Sequence, residues 1–388
     1  MPTSTAGSRL AGLTFTNPQD DPGWTHVVVP AVSSGSAGEL PSAYRDLQVD
    51  VVGAGRSRDL EEWVTETSST SLLVFDGLLD GGTVVHEWYA EGLDAGTLFL
   101  GASMTKSVLA HLVGRAVRDG ALALTDTVTG HVPELAGTGY DGTTVLDVLT
   151  MTTGVDWVED HRDPDSLASR LLGCFAAGAD SRALLRSVRP GVPPGTRFSY
   201  CTADSQVLDW LRERATDLSY TEDVARLWQA LGCTRDAYVA VDGTGVPLAG
   251  GALAATARDW ARVAHLAVDG CSDRGERLLD ADWVGAAARP PYPFLAVGRL
   301  PSSITSHAGF GYHWWPMDDA GHRVTADGSR GQFACADRRT GVVVVKTSQW
   351  PYEDFLVDRQ ARDLSYLGLH ALLEAASTHP QNTKEYVP

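Results

Sequence analysis

Apolar and polar positions change their spacing twice along the chain, and the changes predict a strand, helix, strand order. Between Ser69 and Gly92, two apolar runs rich in Val, Leu and aromatic residues flank a glycine-containing turn, which predicts an antiparallel hairpin. Between about 125 and 235 the apolar residues recur every three or four positions, as on one face of a helix. The β-prone runs of "GQFACADRRTGVVVVKTS" then predict a second strand pair, and a final helix is expected near 355–375.

This order predicts an α/β (α+β) protein in which a helical domain interrupts a domain built from the two ends of the chain. We place the N-terminal part at 1–100, the helical domain at 101–245 and the C-terminal part at 246–388. Residues 1 to about 65 are rich in Gly, Ser, Pro and Asp and predict an irregular leader that packs onto the body. At 388 residues the chain can bury a large core.

The net charge and the cysteines limit which binding partners and which cellular compartment we expect. A formal net charge of -18 at pH 7 repels phosphate backbones and anionic lipid, so we expect neither nucleic acid nor a membrane surface as partner. The N-terminus lacks the pattern of a secretion signal, and no apolar run reaches the ~18 residues that a membrane span needs. The cysteines are odd in number and lack C-x-x-C spacing, which indicates free thiols in a reducing cytoplasm. They are Cys174, Cys201, Cys233, Cys271 and Cys335.

The segment "GASMTKSVLA" contains Lys106, one of three lysines in a chain whose positive charge is otherwise arginine. Apolar positions from Val108 to Val117 have helical spacing and Gly120 is a suitable stop, so Ser103 and Lys106 share one face near the start of a helix. The serine can then act as a nucleophile with the lysine as its base, because burial lowers the pKa of a lysine toward neutrality, whereas arginine stays charged. The alternative is a chance S-x-x-K, since serine is common.

Two further segments supply the other groups that such a hydrolase needs. In "PPGTRFSYCTADSQVLDWL" a Pro-Gly turn leads into a helix, so that Tyr200 projects from the helical block and its phenol can relay protons; an ordinary core tyrosine is the alternative. In "TADGSRGQF" the glycines Gly328 and Gly331 allow close approach of the backbone, and the Ser329 N–H can join the Ser103 N–H as an oxyanion hole. A glycine-rich strand start is the alternative.

Together these segments resemble the motifs S-x-x-K, Y-x-N and K-T-G of the serine β-lactamase and penicillin-binding-protein superfamily. Three stretches, "VPELAGTGYDGTTVLDVLTMTTGVDWVEDHRDP", "FSYCTADSQVLDWL" and "GSRGQF" with "VVVVKTSQWP", are most similar to the 6-aminohexanoate-dimer (nylon oligomer) hydrolases and to carboxylesterases related to class C β-lactamases. The resemblance implies a β-lactamase-like fold, with an antiparallel sheet flanked by helices. It also implies an acyl-enzyme on Ser103, with Lys106 and Tyr200 as proton carriers and without metal or cofactor.

The chain departs from this superfamily at positions that bear on the substrate. Ala326 stands where the K-T-G motif has lysine and Asp327 where it has threonine, so the cationic anchor for a β-lactam or peptide carboxylate is missing, and Arg330 is the nearby cation. Thr202 replaces the asparagine of Y-x-N. His161 replaces a tyrosine that supports amide cleavage in the nylon oligomer hydrolases; we expect it at the substrate, with a surface histidine of no role as the alternative.

The sequence therefore predicts a serine hydrolase of small carboxylic esters, extending to linear 6-aminohexanoate amides. A β-lactamase or D-amino-acid peptidase, and a non-catalytic binding protein on the same fold, are the alternatives. The expected partners are a small-molecule ester or amide and, for assembly, a second copy of the chain in a homodimer. His307 and His313 lack metal-ligand spacing, so no metal is expected.

Overall fold

A computed structural model of the chain describes residues 14–31, 39–77, 82–350 and 359–377. The β-strands in these ranges are β1 (Thr25–Val29), β2 (Val51–Gly53), β3 (Arg56–Arg58), β4 (Ser69–Asp76), β5 (Thr83–Tyr89), β6 (Phe99–Leu100), β7 (Ala237–Val241), β8 (Leu253–Ala255), β9 (Trp315–Pro316), β10 (Arg323–Gly328), β11 (Gln332–Asp337) and β12 (Val342–Ser348). The α-helices are α1 (Leu60–Glu66), α2 (Thr105–Arg118), α3 (Val128–His131), α4 (Val145–Leu149), α5 (Leu167–Ala177), α6 (Ser181–Leu185), α7 (Thr202–Thr216), α8 (Tyr220–Leu231), α9 (Ala257–Asp269), α10 (Ala281–Ala287) and α11 (Arg359–Ser377).

The central sheet has six antiparallel strands in the order β5-β4-β12-β11-β10-β9, so strands from both ends of the sequence lie side by side. Alternation along β12 sends Val342 and Val344 to the side covered by α11, and Val343 and Val345 to the side covered by α9. Both faces are thus buried, which explains why four valines follow one another in the sequence. The two predicted hairpins are confirmed as β4 with β5 and β11 with β12, and the predicted final helix is α11.

The helices α2 to α8 form the helical block that the apolar spacing predicted. Local signals begin and end them. Ser219 and Glu222 form a reciprocal capping box before α8, and Gly232 ends that helix in the left-handed conformation. Gly120, with φ of 74°, follows the end of α2 as predicted. Helix α7 packs against both α2 and α4, and its start lies next to the start of α2.

A second sheet, in the order β1-β7-β8-β6, takes its strands from all three predicted parts of the chain. The prediction of an irregular leader is therefore wrong at four short elements within residues 14–31 and 39–66: β1 is a sheet strand, β2 and β3 form a hairpin, and α1 is capped by Asp59. The prediction that this part packs onto the body is confirmed by the pairing of β1 with β7. Composition misled here because Asp, Ser and Gly also serve as caps and turn residues beside short elements. The domain limits at residues 100 and 245 stay a prediction.

Candidate active site

Ser103 lies in a single 3₁₀ turn, Ala102–Met104, which leads directly into α2. Two features fix this turn. Gly101 has no room for a side chain, because an added Cβ would lie 2.4 Å from the Trp260 ring, and its N–H donates to the first carbonyl of β8 at 2.9 Å. Ala102 has φ of 45°, a left-handed conformation that is uncommon outside glycine. The nucleophile predicted from the sequence is thus held by a constrained backbone and stays partly exposed.

Lys106 is buried in the first turn of α2 and points its ammonium at three oxygen atoms. Its Nζ lies 3.1 Å from Ser103 Oγ, 3.2 Å from Thr202 Oγ1 and 2.6 Å from the Gly250 carbonyl oxygen. The predicted pair of nucleophile and base therefore meets at hydrogen-bond distance. The sequence analysis missed Gly250, whose N–H is held by the side chain of Gln206 at 3.0 Å.

Burial lowers the pKa of Lys106 to about 8, while the nearby Glu159 carboxylate and Cys201 thiol act in the opposite direction. A pKa of about 8 leaves about one tenth of the side chain as free amine at pH 7. A fully hydrated lysine would offer far less. The side chain is therefore tuned to accept a proton near neutral pH.

Tyr200 is the third member of the predicted catalytic group, and the Ser103 hydroxyl lies close enough to its phenol to act on its pKa. The Lys106 Nζ lies 5.2 Å from the centre of its ring, and Trp315 stacks on the ring at 5.8 Å. Burial raises the pKa of the phenol, with the Ser103 hydrogen bond acting against this, so Tyr200 rests in its protonated form. The structure thus brings Ser103, Lys106 and Tyr200 together.

Glu159 is a carboxylate of the site that the sequence analysis missed. It accepts hydrogen bonds from the backbone N–H of Thr202 at 2.9 Å, from the Thr202 hydroxyl, from Trp157 Nε1 at 2.6 Å and from His161 Nε2 at 3.2 Å. Burial favours the neutral acid, but the hydrogen bond and charge of His161, the charge of Lys106 and the Thr202 hydrogen bond prevail, and the pKa falls to about 2. The pattern W-x-E-x-H places all three side chains on alternate positions, which was the available signal.

The partners of Lys106 dictate where its lone pair points once it loses a proton. The Gly250 carbonyl can only accept a hydrogen bond. The Thr202 hydroxyl gives its single proton to Glu159, so it too can only accept from Lys106. The two N–H groups of the neutral amine therefore donate to Gly250 and Thr202, and its lone pair points to the third partner, the Ser103 hydroxyl. In this way Thr202, at the position of the asparagine in Y-x-N, orients Lys106 as the predicted base.

His161 joins this group through Glu159. Its side chain is 28% exposed, and its Nδ1 atom is buried with no hydrogen-bond partner in the part of the chain that is described. With Nε2 directed at the carboxylate, Nδ1 keeps an unused hydrogen-bonding position inside the protein, which another molecule reaches only if the ring turns. The assignment of His161 to the substrate stays a prediction, which the partial exposure of the side chain supports.

Ser329 begins the turn after β10, and the end of that strand lies against the turn of Ser103. An added Cβ on Gly328 would lie 2.3 Å from the Gly101 carbonyl oxygen and 3.3 Å from the Met104 nitrogen, so only glycine allows the approach. The pairing of the Ser103 and Ser329 N–H groups as an oxyanion hole stays a prediction, which this close contact supports.

The two positions on β10 that depart from K-T-G carry no cation. Ala326, on β10, has its side chain buried in the larger hydrophobic core. Asp327 faces α11, where its carboxylate accepts hydrogen bonds from the guanidinium of Arg362 and, at 2.9 Å, from the Tyr366 hydroxyl. Neither position offers a positive charge to a substrate carboxylate.

Other candidate groups have structural contacts. His313 is buried, with Nδ1 2.8 Å from the Leu149 carbonyl and Nε2 3.0 Å from Ser205 Oγ. Cys201 is buried, and burial raises the pKa of its thiol. Among the residues described, no group of three or more His, Cys, Asp or Glu is arranged to hold a metal ion. No helix within the described ranges is long and apolar enough to cross a membrane.

An antiparallel sheet interrupted by a helical block, with a serine and lysine paired at the start of the first inserted helix, is the architecture of a hydrolase with the β-lactamase fold. A sequence model described as Beta-lactamase matches residues 74–367, and the chain belongs to this family. It is 34% identical over 309 residues to a 6-aminohexanoate-dimer hydrolase from Paenarthrobacter ureafaciens, covering 78% of both chains. These findings confirm the resemblance seen in the sequence.

Solved structures show the same fold. The chain is similar to the "Putative 6-aminohexanoate-dimer hydrolase from Bacillus anthracis" with a TM-score of 0.77, 22% identity and coverage of 96% of this chain and 99% of that one. It is also similar to EstCE1, described as a hydrolase with promiscuous acyltransferase activity, with a TM-score of 0.60, 16% identity and coverage of 79% and 98%. The predicted β-lactamase-like fold is therefore confirmed.

Proposed function

We propose that this hydrolase cleaves small carboxylic esters, and more slowly linear 6-aminohexanoate amides, through an acyl-enzyme on Ser103. The observation that carries the proposal is the contact of 3.1 Å between Lys106 Nζ and Ser103 Oγ, with the other two partners of the amine restricted to accepting. The name of the relative from Paenarthrobacter ureafaciens supports the amide. His161, where the resemblance to the nylon oligomer hydrolases implies a tyrosine, favours the ester.

Acylation starts with the fraction of Lys106 that is a free amine. Ser103 Oγ attacks the carbonyl carbon and gives its proton to Lys106 Nζ, while the carbonyl electrons move to the oxygen. The N–H groups of Ser103 and Ser329 are the proposed donors to this oxyanion. When the tetrahedral species collapses, the bond to the leaving group breaks, and Tyr200 passes that group a proton which Lys106 replaces.

Deacylation repeats these transfers with water. A water molecule attacks the acyl carbon and its proton passes to the neutral amine of Lys106, directly or through Tyr200, which gives its own proton to Lys106 as it takes one from the water. The bond to Ser103 Oγ then breaks, and the serine recovers a proton from Lys106. Atoms and charges balance, so the cycle needs the substrate and water alone. The raised pKa of Tyr200 suits a relay that is never a lasting anion.

The substrate preference follows from what the site contains. An ester leaving group departs as an alcohol with little help, whereas an amide nitrogen must be protonated before it leaves. His161 has Nε2 tied to Glu159 and Nδ1 buried, so as placed it gives little help to a departing nitrogen. A β-lactam carboxylate finds no cation at Ala326 or Asp327, so we expect slow turnover of chromogenic β-lactams.

The test follows product release from a short-chain nitrophenyl ester, from the linear 6-aminohexanoate dimer and from a chromogenic β-lactam. The ester should be the best substrate, and its hydrolysis should disappear in Ser103→Ala. His161→Tyr should raise the ratio of amide to ester hydrolysis, because a phenol can donate to the departing nitrogen. Ester hydrolysis that survives in Ser103→Ala would refute the nucleophile, and a β-lactam that outpaces the ester would refute the substrate class.

A further inference from the structure

The segment Phe15–Asn17, which we call the N-terminal strap, lies along β6 on the edge opposite β8. The Leu100 N–H donates to the Phe15 carbonyl at 2.9 Å, and the Asn17 N–H donates to the Leu98 carbonyl at 2.7 Å. The Asn17 side chain accepts the Leu98 N–H in return at 3.0 Å. Since β6 runs directly into the turn of Ser103, the strap borders the nucleophile.

The ring of Phe15 contacts both sides of the candidate oxyanion hole. It is buried with Leu100 and Ala102 in a small apolar cluster separate from the two large cores. On its other side, the guanidinium carbon of Arg330 lies 5.4 Å from the ring centre. Ala102 directly precedes Ser103, and Arg330 directly follows Ser329. One side chain thus packs against the neighbour of each proposed oxyanion donor.

Both neighbours have a backbone conformation that needs support. Ala102 has φ of 45° and Arg330 has φ of 59°, so both non-glycine residues are left-handed. Such residues are strained and persist where the surroundings hold them. The ψ angle of Ala102 sets the direction of the peptide group that carries the Ser103 N–H. Arg330 is the residue after Ser329, so its left-handed conformation fixes the course of the turn that contains Ser329. On the far side of the Ser329 turn, Gly331 packs so closely on Trp350 that an added Cβ would lie 2.4 Å from its ring.

We infer that the N-terminal strap is a positioning element of the active site, in which Phe15 holds the two oxyanion donors in register with each other. The inference rests on the proposed function, because it assigns a role to the strap in the same oxyanion hole. Phe15 touches no reacting atom and acts through Ala102 and Arg330. The strap is far from the catalytic motifs in sequence, yet it makes the hole rigid before the substrate binds, as electrostatic stabilisation of an oxyanion requires.

The experiment compares Phe15→Leu with a matched control, Phe175→Leu. The control replaces a phenylalanine that is equally buried but lies on α5. The substrates are a nitrophenyl ester and its thionoester, whose sulfur accepts hydrogen bonds poorly and so gains little from an oxyanion hole. Rates are expressed per site that a serine-reactive phosphonate labels, which removes any loss through unfolding. Ser103→Ala serves as the blank.

For Phe15→Leu we expect kcat for the ester to fall about tenfold with little change in KM, and the preference for ester over thionoester to fall with it. Phe175→Leu should keep the wild-type preference. Arg330→Gly keeps a left-handed turn but removes the contact with the Phe15 ring, so it should lower the preference for ester over thionoester as Phe15→Leu does. Combining Phe15→Leu with Arg330→Gly should lower that preference no further. A preference that is equal in the Phe15 and Phe175 variants would overturn the inference while leaving the serine hydrolase intact. Activity that persists in the Ser103→Ala blank would remove the proposed function, and the inference with it.

Discussion

Lys106 and Lys346 are both buried, yet their surroundings are opposite. The Lys106 amino group contacts the Ser103 hydroxyl and two further oxygen atoms, those of the Thr202 side chain and the Gly250 carbonyl. The Glu159 carboxylate lies next to Thr202. Lys346, on β12, has the Ser348 hydroxyl as a hydrogen-bond partner and is otherwise enclosed by aromatic rings. The ring centres of Trp63, Phe333 and Trp350 lie 5.5, 5.9 and 5.8 Å from its Nζ.

The contrast shows what makes a buried lysine a useful base. Burial lowers the pKa of Lys346 well below its usual value, and within the described ranges no opposing charge counteracts it. Burial also lowers the pKa of Lys106, but Glu159 counteracts it and the value settles at about 8. Desolvation lowers the pKa of both lysines, and at Lys106 a carboxylate limits the fall, so that this side chain can exchange protons near neutral pH.

The strongest test of this contrast exchanges each lysine for methionine. Lys106→Met should lower kcat/KM for the nitrophenyl ester by about a thousandfold or more, because the serine loses its base. Lys106→Arg should be about as inactive, since guanidinium stays protonated. Lys346→Met is the matched control and should keep wild-type kcat/KM. A Lys346 variant as impaired as the Lys106 variant would contradict the separation of the two roles.

A smaller loss of activity is expected when Glu159, the carboxylate that raises the pKa of Lys106, is replaced. Glu159→Gln should lower kcat/KM about 10- to 100-fold, because the amide can donate to Thr202 and free the threonine hydroxyl to compete for the lone pair of Lys106. Glu159 raises the pKa of Lys106, so its removal should shift the rising limb of the pH–rate profile from near pH 8 to lower pH.

The control for that shift is Glu87→Gln. Glu87 is another carboxylate whose pKa is lowered, but its partners are Arg258, Tyr89 and Tyr44. Its variant should leave the rising limb in place. A limb that stays near pH 8 in Glu159→Gln, or moves to higher pH, would show that the carboxylate does not govern the base.

The sequence predicted the parts of the site that lie close together in the chain. Ser103 and Lys106 share a helical turn, and the turn before α7 presents Tyr200, so local periodicity and motif spacing were sufficient. Glu159 is linked to Lys106 through Thr202, and Gly250 meets Lys106 where α2 contacts the start of β8. No local pattern encodes either of these contacts. The carboxylate had a weak signal in W-x-E-x-H, whereas a carbonyl oxygen has none.

The same limit applies to the fold. Strong strand runs around β4 and β12 were identified because each contains a continuous apolar segment, although their pairing joins residues such as Leu73 and Val345. The N-terminal residues were misread because their strands are short and half exposed, and because their stability comes from partners such as β7. Short edge strands carry too few residues for periodicity to show.

The last prediction concerns stability, where Lys346 rather than Lys106 should dominate. In the folded protein the pKa of Lys346 lies well below 10.5, so between that lowered value and about 10.5 the unfolded chain binds a proton that the folded protein does not. The free energy of unfolding then rises by about 1.4 kcal/mol per pH unit through this window, and it is lowest at its acidic end. Lys346→Met removes this dependence, so we expect the variant to be more stable than the wild type at neutral pH, by an amount that shrinks as the pH rises.

Urea unfolding of both methionine variants at pH 6.5, 8 and 9.5 measures the difference. For Lys106→Met the contribution of the titration should be confined to pH above about 8, the folded pKa of Lys106. For Lys346→Met it should begin at the lowered folded pKa of Lys346. A difference between Lys346→Met and the wild type that does not change with pH would mean that Lys346 keeps its proton, stabilised by the faces of the surrounding rings. The aromatic enclosure would then act as a cation site, and the difference between the two lysines would lie in their partners alone and no longer in their charge.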